Sequence, residues 1–181
     1  MDRRDGAPVD GGTIQIGIAV DVPEPWGGML TRRRAESGDP QVVPAHVTLL
    51  GPTEIPVVAL PAVEEHLSRV AARHLPFTLH LRGTGTFRPV TQVVFVTVAA
   101  GISECELLAA AINAAPELHR EARFPYHPHV TVAQDVAPEA LDRAYEDLAD
   151  FSAMFEVDSF TLFSHSGATR WQPRRDFRLG G

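Results

Sequence analysis

Two copies of the tripeptide His-Val-Thr are the residues of this chain best suited to chemistry. One copy is His46-Val47-Thr48 and the other is His129-Val130-Thr131. An imidazole has an ordinary pKa of about 6.5, so near neutral pH one histidine can accept a proton while another donates one. At a shared phosphorus atom they would serve the attacking and the departing oxygen of a phosphoryl transfer. The threonine hydroxyls could then donate hydrogen bonds to the phosphoryl oxygens.

Each tripeptide lies in a short apolar run that predicts a β-strand, over residues 43–50 and 129–133. Side chains two residues apart share a face of a strand, so His and Thr project together while the intervening valine points to the core. A third match, His66-Leu67-Ser68, falls inside a predicted helix. Because residues i and i+2 of a helix do not share a face, we assign that match to chance.

The elements that must position these residues follow from apolar periodicity and from proline and glycine. Prolines predict helix starts at Pro25, Pro61 and Pro138, and Ser103 with Glu106 suggests a capping box at a fourth helix. Alternating or β-branched runs predict seven strands. These strands cover residues 13–20, 43–50, 77–81, 93–98, 129–133, 155–163 and 170–179.

The order of elements is repeated along the chain. From residue 46, and again from residue 129, a His-Val-Thr strand is followed by a proline-started helix and another strand. We therefore expect an α+β fold with two lobes: two antiparallel sheets related by a pseudo-twofold, helices on the outer faces and a central cleft. Residues 13–181 are expected to form this single bilobal domain, after a flexible N-terminus at 1–12.

Composition excludes several classes of mechanism and partner. The formal net charge of −7 argues against binding of long duplex nucleic acid. All 16 Lys and Arg positions are arginine, so a lysine–nucleotide adduct and a Schiff base are ruled out. Cys105 is the one cysteine, and no apolar run is long enough to span a membrane. We expect a cytoplasmic monomer without a cofactor and without membrane contact.

Further residues are candidates for substrate contacts. Phe87, Tyr126 and Trp171 could line the cleft or stack on a base, and Arg170 belongs to a locally basic C-terminal stretch that could guide a phosphate. Each of these also has an ordinary structural interpretation, as a core aromatic or a solvated edge strand. His127 shares a strand face with His129, so a histidine-held zinc ion is an alternative, although no third ligand is evident.

The segments PAHVTLLGP and YHPHVTVAQ resemble the paired H-x-T motifs of the 2H phosphoesterase superfamily, near its 2′-5′ RNA ligase-like and cyclic phosphodiesterase branches. The similarity extends from about residue 14 to 179. It implies a bilobal α+β fold and a metal-free site in which His46, Thr48, His129 and Thr131 are catalytic. It also implies action on 2′,3′-cyclic phosphates or 2′-5′ linkages of RNA ends or small nucleotides. Gln134 departs from the family pattern, which often has a basic or aromatic residue there.

Our hypothesis from the sequence is hydrolysis of a 2′,3′-cyclic phosphodiester by paired histidines, with 2′-5′ ligation as the reverse reaction. Two alternatives stay open. A non-catalytic module could bind RNA ends or nucleotides in the same cleft, or a single metal ion held by His127 and His129 could carry the hydrolysis. The sequence does not say which histidine is the acid and which is the base.

Overall fold

The computed structural model describes residues 11–165 and 170–181, and these contain eight strands and four α-helices. Most of the N-terminal segment predicted to be flexible, residues 1–12, lies outside them. None of the described helices is both long and apolar enough to cross a membrane. In chain order the elements are β1 (Thr13–Asp21), α1 (Trp26–Glu36), β2 (His46–Pro56), α2 (Leu60–Ala72), β3 (Phe77–Thr86), β4 (Val93–Ala100), α3 (Ile102–Asn113), β5 (His129–Gln134), α4 (Pro138–Asp147), β6 (Ser152–Val157), β7 (Ser159–His165) and β8 (Gln172–Arg178).

The strands form two four-stranded antiparallel sheets, which confirms the predicted α+β class. Sheet A has the strand order β2-β1-β7-β8, and sheet B has the order β5-β4-β3-β6. The two strands that begin with the histidine tripeptides, β2 and β5, each form one edge of their sheet. These two edge strands contact each other, so the sheets meet along the histidine-bearing strands.

Alternation along the strands separates a core face from an open face in each sheet. In β1 the core side chains Ile16 and Ile18 are buried, while Gly17 and Asp21 belong to the other face. Two helices cross from one sheet to the other. The helix α1, which follows β1 of sheet A, contacts β5 of sheet B, and α3, which follows β4 of sheet B, contacts β2 of sheet A. Buried Leu30 in α1 and Ile112 in α3 form part of one continuous core. The histidine-bearing strands are therefore held in place from both halves.

The pseudo-twofold relates β1-α1-β2-α2 to β4-α3-β5-α4. This corrects the repeat unit predicted from the sequence, which joined each histidine strand to the strand after the following helix. In the second predicted unit, β5 and β6 do belong to one sheet. In the first predicted unit, β2 and β3 belong to different sheets. Strand pairing is set by contacts between distant segments, so the local order of elements cannot reveal it.

Two predicted strand boundaries are also wrong. The strand predicted over 155–163 is two strands separated by Asp158, and the chain passes from sheet B to sheet A at that residue. The strand predicted to stop at Gly51-Pro52 continues to Pro56. Pro52 is tolerated because β2 is an edge strand and because Gly51 and Pro52 lie in a bulge opposite Gly17, where the ladder is already irregular.

The start of α3 differs from the predicted capping box. The helix begins at Ile102, and its N-cap is Gly101, with φ of 92° and no side-chain cap hydrogen bond. A Cβ atom at Gly101 would lie 2.9 Å from the Thr78 carbonyl oxygen, so the close approach of β3 requires glycine here. Backbone packing, rather than the Ser103 hydroxyl, defines this helix start.

Candidate active site

The two histidine-bearing strands have the same local backbone. In both, the burial pattern of the first five residues alternates and then ends in two consecutive buried positions. The cause is a β-bulge directly after each threonine, at Leu49 in β2 and at Val132 in β5, where one extra residue enters the ladder. Sequence reasoning predicted the shared His-Thr face but could not predict the shared bulge.

Both imidazoles are held by the same type of hydrogen bond. His46 Nδ1 lies 2.7 Å from the carbonyl oxygen of Pro44, and His129 Nδ1 lies 2.7 Å from that of His127, in each case two residues earlier. A carbonyl oxygen can only accept, so Nδ1–H is the donor in both rings. Each Nε2 is then the atom at which a proton is gained or lost, and each ring is held in a fixed orientation.

The two halves of the site are tied together across the sheets. The Tyr126 hydroxyl, which comes from the segment before β5, donates a 2.8 Å hydrogen bond to the carbonyl oxygen of Thr48 in β2. Burial raises the pKa of this phenol, so it remains a donor. Burial lowers the pKa of His129, and the charges of His127 and His46 lower it further to a smaller extent.

The surroundings of His46 are polar and charged. Asp21 is its cross-strand partner in β1, and the buried ion pair between Arg34 and Asp39, with 2.6 Å between Nε and Oδ2, also belongs to this half. Burial lowers the pKa of His46, the hydrogen bond to Pro44 opposes this, Arg34 lowers the pKa further, and Asp21 raises it. Burial in turn raises the pKa of Asp21, against the charge of His46.

The surroundings of His129 are aromatic. Its ring centroid lies 5.1 Å from that of Phe87, edge to face at 90°, and 5.1 Å from that of Phe95. The His127 ring is 5.9 Å away, and the cross-strand partner of His129 is Thr97. Burial is the largest cause lowering the pKa of His129, with a smaller contribution from the charge of His127 and opposition from the hydrogen bond to the His127 carbonyl.

The other predicted site residues differ in their position relative to the histidine-bearing strands. Phe87, Tyr126 and His127 all lie beside the histidine-bearing strands, as described above. Trp171 lies on the open face of sheet A, where its ring would be 3.4 Å from a Cβ at Gly17, with the His165 ring 5.4 Å away. Arg170 is exposed just before β8.

The predicted zinc alternative finds no third ligand in the described ranges. Within residues 11–165 and 170–181, no group of three His, Cys, Asp or Glu side chains lies close enough to hold a metal ion. His127 instead packs edge-on against Phe87 and Phe95.

Sequence reasoning missed three residues near the histidines: Asp21, Arg34 and Phe95. Asp21 could have been noticed, because it continues the alternation of Gly17 and Ala19 on the open face of β1. Phe95 looked like one more apolar residue in a strongly predicted strand, since the first four residues of β4 are all buried. Nothing in the local sequence indicates that Arg34, at the end of a helix, approaches His46.

A family model, a relative in sequence and solved structures match this chain. The family model of the 2′-5′ RNA ligase superfamily matches residues 21–169. The Bacillus cytotoxicus protein named "Putative phosphoesterase Bcer98_0945" is 29% identical over 150 residues, covering 77% of this chain and 81% of that protein. The structure of TT0787 of Thermus thermophilus is 26% identical, with a TM-score of 0.65, and the match covers 92% of this chain and 98% of that one.

The structure of Escherichia coli LigT complexed with 3′-AMP has a TM-score of 0.71, with 93% of this chain and 99% of that chain covered; at 23% identity it shows a shared fold. The resemblance seen in the two His-Val-Thr segments is thereby confirmed. Since the family model spans most of its length, this chain belongs to the 2′-5′ RNA ligase superfamily of 2H phosphoesterases.

Proposed function

We propose that this chain is a metal-independent phosphoesterase that opens 2′,3′-cyclic phosphates of RNA ends or small nucleotides. His46 and His129 act as the acid–base pair, and Thr48 and Thr131 hold the phosphoryl oxygens. With a 5′-hydroxyl end attacking phosphorus in place of water, and the bond from phosphorus to the 3′-oxygen breaking, the same acid–base pair would form a 2′-5′ linkage.

The observation that carries this proposal is the matched pair of Nδ1 hydrogen bonds. A carbonyl acceptor at Pro44 and another at His127 leave both Nε2 atoms available for proton transfer. Binding of a phosphate alone would not require two titratable groups in the same tautomer. A pair of oriented imidazoles suits a reaction that takes up one proton while it releases another.

The mechanism follows from these two nitrogens. The neutral imidazole accepts a proton at Nε2 from water as the water oxygen bonds to phosphorus. The other imidazole, protonated at both nitrogens, donates from Nε2 to the ribose oxygen as its bond to phosphorus breaks. The product is a phosphomonoester with a free ribose hydroxyl. The threonine hydroxyls donate to the non-bridging oxygens, whose negative charge grows in the transition state.

Several residues support a nucleotide as the substrate. Phe87 beside His129, and Trp171 over Gly17, offer aromatic surfaces on either side of the two histidine-bearing strands, where a base could stack. Arg170 is exposed near Trp171 in sequence and could meet a phosphate. E. coli LigT, which has the same fold, was crystallised with 3′-AMP, a nucleotide that opening of 2′,3′-cyclic AMP can produce.

The test is hydrolysis of 2′,3′-cyclic AMP in the presence of EDTA. We expect turnover by the unaltered chain and a loss of about 10²- to 10⁴-fold in kcat/KM for His46→Ala and for His129→Ala. His119→Ala is the matched control, because this histidine is exposed and belongs to neither tripeptide.

The alternatives give different results in the same assay. Binding of the cyclic nucleotide without turnover would favour the non-catalytic module. Loss of activity in EDTA with recovery on addition of zinc would favour the single-metal mechanism. Full activity of either histidine variant would overturn the proposal.

A further inference from the structure

A second polar cluster lies on the same open face of sheet B as His129. From His129 in β5, the cross-strand register leads to Thr97 in β4, whose hydroxyl donates to the backbone carbonyl of Arg82 in β3. Arg82 is in turn paired with Ser152 in β6. The chain thus places Arg82 in line with His129, across the width of the sheet.

Arg82 lines a cavity of about 290 Å³ beside β6, at the edge of sheet B opposite β5. His80, two residues earlier on the same strand face, also lines it, and its Nε2 lies 2.9 Å from the Ser152 hydroxyl. The remaining lining residues are Ala149, Asp150, Phe151 and Ser152. The volume suits a small polar group such as a phosphate with part of its sugar.

The Arg82 guanidinium is available for a ligand. Although Asp150 lines the same cavity, the ion pairs within the described residues do not include Arg82. A guanidinium with five donors, and with no carboxylate partner in the described part of the chain, matches the geometry of a phosphate oxygen pair. Both open faces carry carboxylates, Asp21 and Asp176 in sheet A and Glu156 in sheet B, so the Arg82 guanidinium is what favours an anionic chain over sheet B.

The spacing requires a ligand with more than one phosphate. Two strand intervals of about 4.8 Å separate β5 from β3, so Arg82 lies on the order of 10 Å from the strand of His129. One phosphate cannot contact both places. Thr97 lies between them, and Phe95 and Phe87, with ring centroids 4.4 Å apart, form an apolar surface beside this line, towards Thr131, for a sugar or base.

We propose that Arg82 and His80 form a second phosphate subsite, which binds an internal phosphodiester of a single-stranded RNA whose end is at the two histidines. This inference rests on the proposed function for the position of the RNA end. It makes oligoribonucleotide ends, rather than mononucleotides, the preferred substrate class. The net charge of −7 limits the contact to the few nucleotides nearest the end.

The first test compares two substrates. For the unaltered chain and for Arg82→Gln, kcat/KM is measured on 2′,3′-cyclic AMP and on a pentaribonucleotide that ends in a 2′,3′-cyclic phosphate. We expect Arg82→Gln to lower the ratio of the oligonucleotide value to the mononucleotide value about tenfold, the effect of one charge-assisted hydrogen bond. Arg143→Gln is the matched control: this arginine is exposed on α4, which packs against the same sheet, and the ratio should not change.

The second test does not depend on turnover. Fluorescence anisotropy measures binding of the labelled pentaribonucleotide with a 3′-phosphate at several salt concentrations. Loss of one phosphate contact in Arg82→Gln should reduce the slope of log K against log salt by about 0.7. A change of fold or packing would not produce this specific loss of slope.

The outcomes separate the two proposals. If the unaltered chain hydrolyses neither substrate while Arg82→Gln still reduces the salt slope, the catalytic proposal fails and the subsite stands. If both substrates are hydrolysed but the ratio and the slope are the same in Arg82→Gln, the subsite is overturned and the catalytic proposal stands.

Discussion

The two halves of the site share a backbone and differ in their surroundings. His46 and His129 have the same bulge after the threonine and the same Nδ1 hydrogen bond to a carbonyl two residues earlier. Opposite His46, however, the neighbouring strand offers the carboxylate of Asp21, whereas opposite His129 it offers the hydroxyl of Thr97. The two halves therefore have the same imidazole orientation but different electrostatic environments.

The largest expected effect comes from removing one histidine at a time, which tests whether the two halves have different roles. His46→Ala and His129→Ala should each cost about 10²- to 10⁴-fold in kcat/KM, and the double variant should be little worse than the poorer single one, because an acid and a base act as a unit. In the pH–rate profile each single variant should keep only the limb that belongs to the remaining histidine. If both variants keep the same limb, the two histidines do not have opposite roles.

Breaking the ion pair in the His46 half should show how far that half depends on buried charge. The Arg34 and Asp39 side chains are only 10% and 2% exposed. Asp39→Asn leaves the Arg34 charge buried without its counter-ion, so we expect the free energy of unfolding to fall by about 3 kcal/mol in urea denaturation. Glu36→Gln removes one of the two exposed partners of Arg33, Asp147 being the other, and should cost under about 1 kcal/mol. Equal losses in the two variants would mean that the buried Arg34–Asp39 pair stabilises the fold no more than an exposed pair does.

The threonines test whether the halves contribute equally to transition-state stabilisation. Thr48→Val and Thr131→Val keep the shape and remove the hydroxyl, and each should lower kcat about 10²-fold on a cyclic nucleotide. Thr→Ser at either position keeps the hydroxyl and should retain most of the activity. An unchanged kcat in one valine variant would show that only the other half holds the phosphoryl oxygens.

The smallest expected effect comes from the charge that distinguishes the halves. The Asp21 carboxylate favours the protonated form of His46, so Asp21→Asn should lower the pKa of His46 further. One limb of the kcat/KM profile should therefore move to lower pH by less than about one unit, while the limb of His129 stays in place. Glu139→Gln, at an exposed position on α4, serves as the control. Movement of both limbs would place Asp21 equally close to both imidazoles.

The same pKa directions set the position of the whole profile. Burial lowers the pKa of both histidines, so both limbs of kcat/KM should lie on the acidic side of about pH 6.5. A bound anionic phosphate favours the imidazolium form, so the kcat profile should lie at higher pH than the kcat/KM profile. Coincident profiles well above neutrality would contradict the burial of the two rings.

The sequence could predict the features that depend on near neighbours. Alternation around Ile16 and Ile18 predicted β1, and the repeated His-Val-Thr tripeptides predicted which side chains share a face. It could not predict pairings between distant segments, so it assigned β2 and β3 to one unit and ran β6 and β7 together through Asp158. The charged groups around His46 and the carbonyl acceptors of both rings were missed for a similar reason, since they depend on the tertiary backbone.

The passage of the chain at Asp158 has a consequence for the order of assembly. Sheet B is built from consecutive chain, β3 to β6, whereas sheet A needs β1 from one end of the sequence and β7 and β8 from the other. Because pairing between distant segments is slow to form, sheet B should acquire protection from hydrogen exchange before sheet A during refolding. During synthesis on the ribosome, each histidine-bearing strand follows the strand it pairs with, β1 for His46 and β4 for His129, but sheet B is complete before β7 and β8 of sheet A have been made. The two similar halves of the active site thus belong to sheets that are completed at different times during folding.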